Sequence, residues 1–281
     1  MDNTTVRELI DAGIHFGHRV GRWNPKMKPY VLTSRNQIHI INIKETIKGL
    51  LRAKKFLNSM VASGKDVLFV GTKRQARKPI IEQAQRSGMP FVSERWLGGT
   101  LTNFRTIRSR LGRLEELETM DSQGQLAAQS KKMESMLRRE LTKIKHNLDG
   151  IRTMERMPGA LILVDARREH NAIHEARKLK IPTVCLLDTD SDPEMVDLPI
   201  PGNDDAMRAI EIIMRELADA ILEGKSGRLE QEEAQAERRP RSRRSLSRAA
   251  ETPEEAPAPA PAPEAPAQPQ EQPVNNQGPT Q

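Results

Sequence analysis

The chain has 281 residues, of which 45 are Lys or Arg and 38 are Asp or Glu, so its formal net charge is +7. A single cysteine excludes a disulfide framework, and no apolar stretch approaches the roughly 18 residues that a membrane helix needs. The first residues are acidic and lack the apolar run of a secretory signal. We therefore expect a cytoplasmic protein in which Cys185 is a reduced, buried thiol.

Apolar runs of strand length, several bounded by glycine, alternate with amphipathic helical segments. A short helix that ends near Gly13 is followed by five predicted strands, at residues 37–43, 66–71, 89–92, 160–165 and 183–188. Further helices are predicted at residues 44–63, 72–87, 170–180 and 203–224. Strands that are apolar throughout are typical of βαβ units, whose parallel sheet is buried on both faces. Residues 1–102 and 157–224 are therefore predicted to form a three-layer α/β/α sandwich with a mostly parallel sheet.

Residues 103–156 interrupt this alternation with a continuous helical pattern. Apolar residues follow helical spacing on two arms, with a polar turn at residues 121–125 between them: Phe104, Ile107, Leu111 and Leu114, then Leu137, Leu141, Ile144, Leu148 and Ile151. The 4-3-4-3 spacing of the second arm predicts an inserted antiparallel coiled-coil hairpin. Twelve Lys or Arg against eight Asp or Glu in residues 105–156 favour a polyanionic partner, although a solvated charged coiled coil would have the same pattern.

The last 57 residues, 225–281, differ from the rest in composition. They contain ten of the 19 prolines and no aromatic residue, and their eight basic and nine acidic residues leave the positive excess entirely in residues 1–224. Such a segment buries too little apolar area to offset its ordering entropy, so we predict a disordered Arg/Ser-rich and then Pro/Ala-rich tail. The Arg/Ser run at residues 238–248 is either a basic arm for RNA or a solvated linker.

A basic loop at residues 15–30 joins the first helix to the first predicted strand. Cations alternate there with an indole, and two glycines and two prolines shape the backbone. The residues expected to contact RNA are Arg19, Arg22, Trp23, Lys26 and Lys28. Cations contact phosphates and aromatic rings stack on bases, as in the recognition of structured RNA. The rings could instead, or in addition, cover the open end of the sheet.

Lys73 and Arg74 begin a helix directly after a predicted strand. Parallel sheets bind phosphates at this position, because the unpaired amides and the helix dipole point outward. The segment lacks the glycine pattern of a nucleotide-binding loop, so an RNA phosphate is the better interpretation. Arg95 and Arg105 would extend the same surface. Hairpin cations would brace a second RNA element: Arg108, Arg110, Lys131, Lys132, Arg138 and Arg139.

Alternating acids follow the last predicted strand. Asp188 and Asp190 resemble the start of a magnesium-dependent phosphatase, in which the first carboxylate is the nucleophile. Too little chain follows them to supply the rest of such a site, and a turn is the simpler interpretation. A separate hypothesis is a structural metal site that combines His15 and His18 with Asp188 or Asp192, since imidazole and carboxylate both suit zinc. The alternative is that both histidines are hydrogen-bonded structural groups, and we expect no other cofactor.

Several strings resemble the bacterial ribosomal protein S2 family. They include AGIHFGH at residues 12–18, WNPKMKP at 23–29, HIIN at 39–42, FVGTKR at 69–74, RWLGG at 95–99, LTN at 101–103, DTDSDP at 188–193 and IPGNDDA at 200–206. The similarity extends in order from residue 5 to about residue 224 and does not include the tail.

This resemblance implies a flavodoxin-like α/β/α domain with an inserted coiled-coil hairpin. It also implies a non-enzymatic constituent of the small ribosomal subunit that binds ribosomal RNA and helps to dock the large RNA-binding protein S1. Neither a membrane nor a small-molecule substrate is implied. The rival hypothesis, from a different functional class, remains a phosphatase built on Asp188 and Asp190.

Overall fold

The computed structural model describes residues 3–126 and 128–238 of the chain. Its strands form two sheets, and the smaller one comes first in the sequence. Strands β1 (Phe16–Arg19), β2 (Val31–Arg35) and β3 (Ile38–Ile41) pair antiparallel in the order β1-β3-β2. Asn36 and Gln37 take left-handed φ angles of 52° and 60° in the turn between β2 and β3.

The second sheet has five parallel strands in the order β5-β4-β6-β7-β8. They are β4 (Val67–Val70), β5 (Phe91–Val92), β6 (Ala160–Val164), β7 (Thr183–Leu187) and β8 (Leu198–Pro201). Four of the five predicted strands belong to it, so the parallel α/β sheet is confirmed. The first predicted strand does not, because it is β3 of the antiparallel sheet.

Seven α-helices accompany the sheets in the described part of the chain. They are α1 (Asn3–Asp11), α2 (Ile43–Ala62), α3 (Arg74–Ser87), α4 (Phe104–Ser122), α5 (Lys131–Leu148), α6 (His170–Lys178) and α7 (Met207–Arg238). Among the described residues, no helix is both long enough and apolar enough to cross a membrane.

Helix α7 does not end at Gly224, where the sequence predicts a stop. A Cβ at Gly224 would lie 2.7 Å from the carbonyl oxygen of Asn58 in α2, so this glycine allows two helices to approach closely. The helix continues to Arg238, which makes the first part of the predicted tail, residues 225–238, helical. The rest of the tail, with the Arg/Ser run from residue 239 onward, lies outside the described residues.

Side chains alternate between the two faces of the parallel sheet, and helices cover both. Val67 and Phe69 of β4 pack with α2, α3 and α7, while Leu68 and Val70 pack on the other face with α4 and α6. Cys185 lies on this second face and is fully buried, as predicted, and burial raises the pKa of its thiol. Because both faces are buried, the strands are apolar throughout, which is the pattern visible in the sequence.

Helices α4 and α5 contact each other. Near the sheet, Ile107 of α4 and Leu148 of α5 belong to the core on the second face. Farther along the pair, Leu117 and Leu137 form a small apolar cluster with Leu126. The pair of helices therefore has one end in the main core and a separate apolar contact of its own.

Candidate nucleic acid interface

The carboxyl ends of the parallel strands carry a group of charged residues that we term the acid–base cluster: His18, Lys73, Asp165, Asp188, Asp204 and Asp205. Asp165 directly follows β6 and Asp188 directly follows β7, so adjacent parallel strands bring them to the same edge. Asp204 and Asp205 come from the turn before α7, where Asn203 Oδ1 accepts hydrogen bonds from the amides of Asp205 and Ala206.

His18 of β1 contacts the turn after β7. Its Nδ1 lies 2.8 Å from Asp188 Oδ2, and its amide donates to Asp188 Oδ1 at 3.2 Å and to Thr189 Oγ1 at 2.9 Å. The hydrogen bond to Asp188, against an opposing contribution from burial, raises the pKa of His18 to about 9. His18 is therefore an imidazolium at neutral pH.

Glycine at position 17 permits this contact. A Cβ there would lie 2.6 Å from Thr189 Cγ2 and 3.1 Å from Asp188 Oδ1. Asn24, farther along the basic loop, donates its amide to the carbonyl of Thr189 at 2.7 Å. Two separate backbone contacts therefore attach the basic loop to the end of the parallel sheet.

Lys73 lies inside the acid–base cluster. Its Nζ is 2.6 Å from one carboxylate oxygen each of Asp204 and Asp205 and 3.7 Å from Asp165 Oδ2, and its side chain is 11% exposed. Burial disfavours the charged ammonium, but these carboxylates outweigh it and raise the pKa of Lys73. Burial, together with repulsion from Asp165, raises the pKa of Asp204 to about 7.

Among the cations expected to contact RNA in the basic loop and at the start of α3, two are thus engaged by acids of the protein. Lys73 is one, and Lys26 is the other, because its Nζ lies 2.9 Å from Asp192 Oδ2 and also contacts Glu194. Sequence spacing identifies Lys26 and Lys73 as basic but does not identify their acidic partners. The acids hydrogen-bonded to Lys26 and Lys73 lie 131 or more positions away in the chain, and Asp165, farther from the ammonium of Lys73, is also distant in sequence.

Most of the remaining predicted cations are exposed and make no ion pair with any described residue. They are Arg19, Arg22, Lys28, Arg74, Arg95, Arg105, Arg108, Arg110, Lys131, Lys132 and Arg139. Arg108 also donates to the carbonyl of Met154. Arg138 is exposed but pairs with Glu134 and Asp121. Trp23 is half-buried, with its ring centroid 4.9 Å from that of His39.

The structure brings together two of the four residues of the hypothetical metal site. His18 and Asp188 are in contact, whereas Asp192 pairs with Lys26 and His15 stacks on Phe16. The third potential ligand near His18 and Asp188 is Asp204, and the three ligand atoms lie within 4.8 Å of one another. Asp204 is 1% exposed, and its Oδ2 has no hydrogen-bond partner among the described residues. The sequence does not single out Asp204 as a ligand, because its Asn-Asp-Asp string also fits a helix cap.

The phosphatase hypothesis is not supported by the geometry. Asp188, its proposed nucleophile, is 1% exposed and accepts hydrogen bonds from His18 and Thr189. Asp190 pairs with Arg167, and Asp188 does not line the pocket that these two residues share. A carboxylate in this position is a structural acceptor and is not accessible for attack on a phosphate ester.

Comparison with known proteins gives consistent matches over most of the chain. The family model for ribosomal protein S2 matches residues 9–224. The small ribosomal subunit protein uS2 of Rhodopirellula baltica is 60% identical over 225 residues, which are 80% of this chain and 86% of that protein. The uS2 protein of a Picosynechococcus species is 50% identical over 81% of this chain and 89% of its own length. That of Acidothermus cellulolyticus is 52% identical over 78% of this chain and 80% of its own length.

Proposed function

The chain belongs to the ribosomal protein S2 family, and we propose that it binds ribosomal RNA through the exposed cations of two surfaces. As a member of that family it is a structural, non-enzymatic constituent of the small ribosomal subunit, where it takes part in translation. Its partners are therefore ribosomal RNA and other ribosomal proteins. The observation that carries the proposal is that most of the cations predicted to contact RNA are exposed and have no acidic partner among the described residues.

The first proposed surface consists of the basic loop and the neighbouring helix starts. Arg19, Arg22 and Lys28 are exposed on the loop, which its contacts with Asp188 and Thr189 hold in place. A loop fixed in this way loses little further entropy when phosphates bind it. Arg74, Arg95 and Arg105 would extend the surface. Trp23 would support the loop by packing on His39. Lys26 and Lys73 would stabilise the fold through their ion pairs and would not contact phosphates.

The second proposed surface is the helix pair α4 and α5. We propose that residues 103–156 form an antiparallel coiled-coil hairpin. This hairpin would be inserted into a core domain that consists of residues 1–102 and 157–224. The separate apolar cluster of Leu117, Leu126 and Leu137 supports this. Its exposed cations would brace a second RNA element: Arg108, Arg110, Lys131, Lys132, Arg138 and Arg139.

We also propose a protein contact and a metal site. The resemblance that implies docking of ribosomal protein S1 is supported by exposed apolar side chains on the small sheet, where Phe16 is 47% and Leu32 is 67% exposed.

For the metal, His18, Asp188 and Asp204 provide one nitrogen and two oxygen ligands, a set that suits zinc. Lys73 already neutralises part of this charge, so metal binding would compete with the ammonium.

The RNA proposal is tested by measuring how tightly the full-length protein binds small subunits from which it has been stripped, at several salt concentrations. A surface that neutralises several phosphates releases their counterions, so the logarithm of the binding constant should fall steeply and linearly with the logarithm of the salt concentration. A flat response would contradict the proposal. Magnesium-containing gradients provide an independent check, because the protein should sediment with small subunits.

A further inference from the structure

The carboxylate of Glu175 in α6 is surrounded by donors from a different part of the chain, residues 96–102, which we term the 96–102 segment. Oε1 accepts hydrogen bonds from Trp96 Nε1 at 3.0 Å and from the Gly99 amide at 2.8 Å. Oε2 accepts them from the Leu101 and Thr102 amides, each at 3.0 Å, and from Thr102 Oγ1 at 3.1 Å. One buried carboxylate thus binds five donors of a seven-residue segment.

No Lys or Arg among the described residues pairs with Glu175, which is only 8% exposed. The charge is instead stabilised by converging backbone amides, an arrangement that in other proteins binds free anions. Burial alone would raise the pKa of Glu175, but the hydrogen bonds from the 96–102 segment lower it. The side chain is therefore a carboxylate at neutral pH, and an amide or an apolar group could not replace it without leaving buried donors unpaired.

The 96–102 segment lies between two exposed cations of the first proposed surface. Arg95 immediately precedes it, and Arg105 is in the first turn of α4, which begins at Phe104 just after it. The backbone that Glu175 holds is the connection between Arg95 and the start of α4. A change in that backbone would move both arginines relative to the basic loop.

We infer that Glu175 is a positioning residue of the RNA interface, because its five hydrogen bonds to the 96–102 segment fix Arg95 and Arg105 where they meet phosphates. This rests on the proposed RNA-binding function. Glu175 itself is buried and would not touch RNA. A contribution to folding stability alone would leave the set of phosphate contacts of the folded protein unchanged.

The test compares Glu175→Gln with the unaltered full-length protein on stripped small subunits, at salt concentrations where both are folded. The amide supplies one acceptor oxygen in place of two, so the segment should loosen. We expect binding about tenfold weaker and a salt slope smaller by about 1 to 2, the loss of one or two phosphate contacts. Glu82→Gln, at an exposed position in α3, is the matched control and should change neither quantity.

Two further variants make the result decisive. Trp96→Phe removes one of the five donors and keeps an aromatic side chain at this position. It should therefore give a smaller change of the same kind, and it serves as the test if Glu175→Gln does not fold. In a protein that already carries Arg95→Ala and Arg105→Ala, adding Glu175→Gln should not reduce the salt slope of binding any further, because the two arginines that Glu175 positions are already absent. An unchanged slope in both Glu175→Gln and Trp96→Phe would overturn the inference, whereas a flat salt response of the unaltered protein would overturn the RNA proposal itself.

Discussion

His18 and Asp188 are 170 positions apart in the chain, yet His18 Nδ1 lies 2.8 Å from Asp188 Oδ2. The contact joins the small antiparallel sheet to the carboxyl end of the parallel sheet. Because the histidine amide also donates to the Asp188 carboxylate, the backbone and the side chain of one residue are held by the same acceptor. This pair is one of the points where the basic loop is fixed to the core, the other being the hydrogen bond from the Asn24 amide to the Thr189 carbonyl.

The free energy of unfolding should fall as the pH rises above neutral, because His18 loses its charge. The folded-state pKa is raised to about 9 from the ordinary 6.5, so the stabilisation is fully present below about pH 6.5 and is lost as the pH rises through about 9. The pair is partly solvent-exposed, so we expect a loss on the order of 1 to 2 kcal/mol.

Urea unfolding at pH 6, 7.5 and 9.5, with a chelator present, measures this effect. His18→Gln removes the titrating group while keeping hydrogen-bonding capacity, so its stability should depend less on pH in this window. The remaining dependence would come from the other members of the acid–base cluster, including Asp204, whose pKa is about 7. If the free energy of unfolding depends on pH equally in the two proteins, the histidine is not the cause.

Gly17→Ala should destabilise the protein by about 1 to 3 kcal/mol, since the added methyl group would have to displace Thr189. Gly21→Ala is the matched control, because nothing lies within 4 Å of a Cβ at that position of the same loop. Chemical denaturation of the two variants checks the difference. Similar midpoints would mean that the loop can shift away from Thr189 at little cost.

Lys28→Ala should lower the salt slope of binding to stripped small subunits by about 1, because an exposed cation without an acidic partner among the described residues is free to neutralise a phosphate. Lys26→Ala, two positions away, should change the slope much less, since Asp192 and Glu194 already hold that ammonium. If Lys26→Ala has the larger effect, the internal ion pairs do not survive in the subunit.

Zinc titration monitored by calorimetry should show one site that disappears in His18→Ala and in Asp204→Asn. His15→Ala should leave binding intact, because His15 stacks on Phe16 and does not approach the acid–base cluster. Binding releases any proton carried by a ligand, so buffers of different ionisation enthalpy should give different apparent enthalpies. If no saturable site is found at micromolar zinc, the proposed metal site is wrong. His18 and Lys73 would then be the cations that balance the carboxylates of the acid–base cluster.

Four strands of the parallel sheet were predictable because burial on both faces makes them apolar runs such as Val67–Val70. The fifth, β8, was not predicted, because its two prolines and half-buried first residues give no such run. In the antiparallel sheet β3 was predicted as a strand, but β1 and β2 were not, since most of β2 faces solvent and β1 is four residues long with a glycine and two basic side chains. Short exposed strands lack both alternation and an apolar run. The helix stop predicted at Gly224 was wrong for a similar reason, because the close approach of α2 is not visible in the local sequence.

The order of amino acids alone shows which segments are apolar enough to be buried, where the positive charge lies and, through its motifs, the family. Which of those charges are available to a partner becomes visible once the chain is folded. Lys28 and Lys73 are both lysines in basic segments, but Lys28 is exposed while Lys73 is enclosed by Asp204 and Asp205. The reason is that an ion pair depends on distance in space, and the chain must fold before residues 131 positions apart come within 2.6 Å of each other.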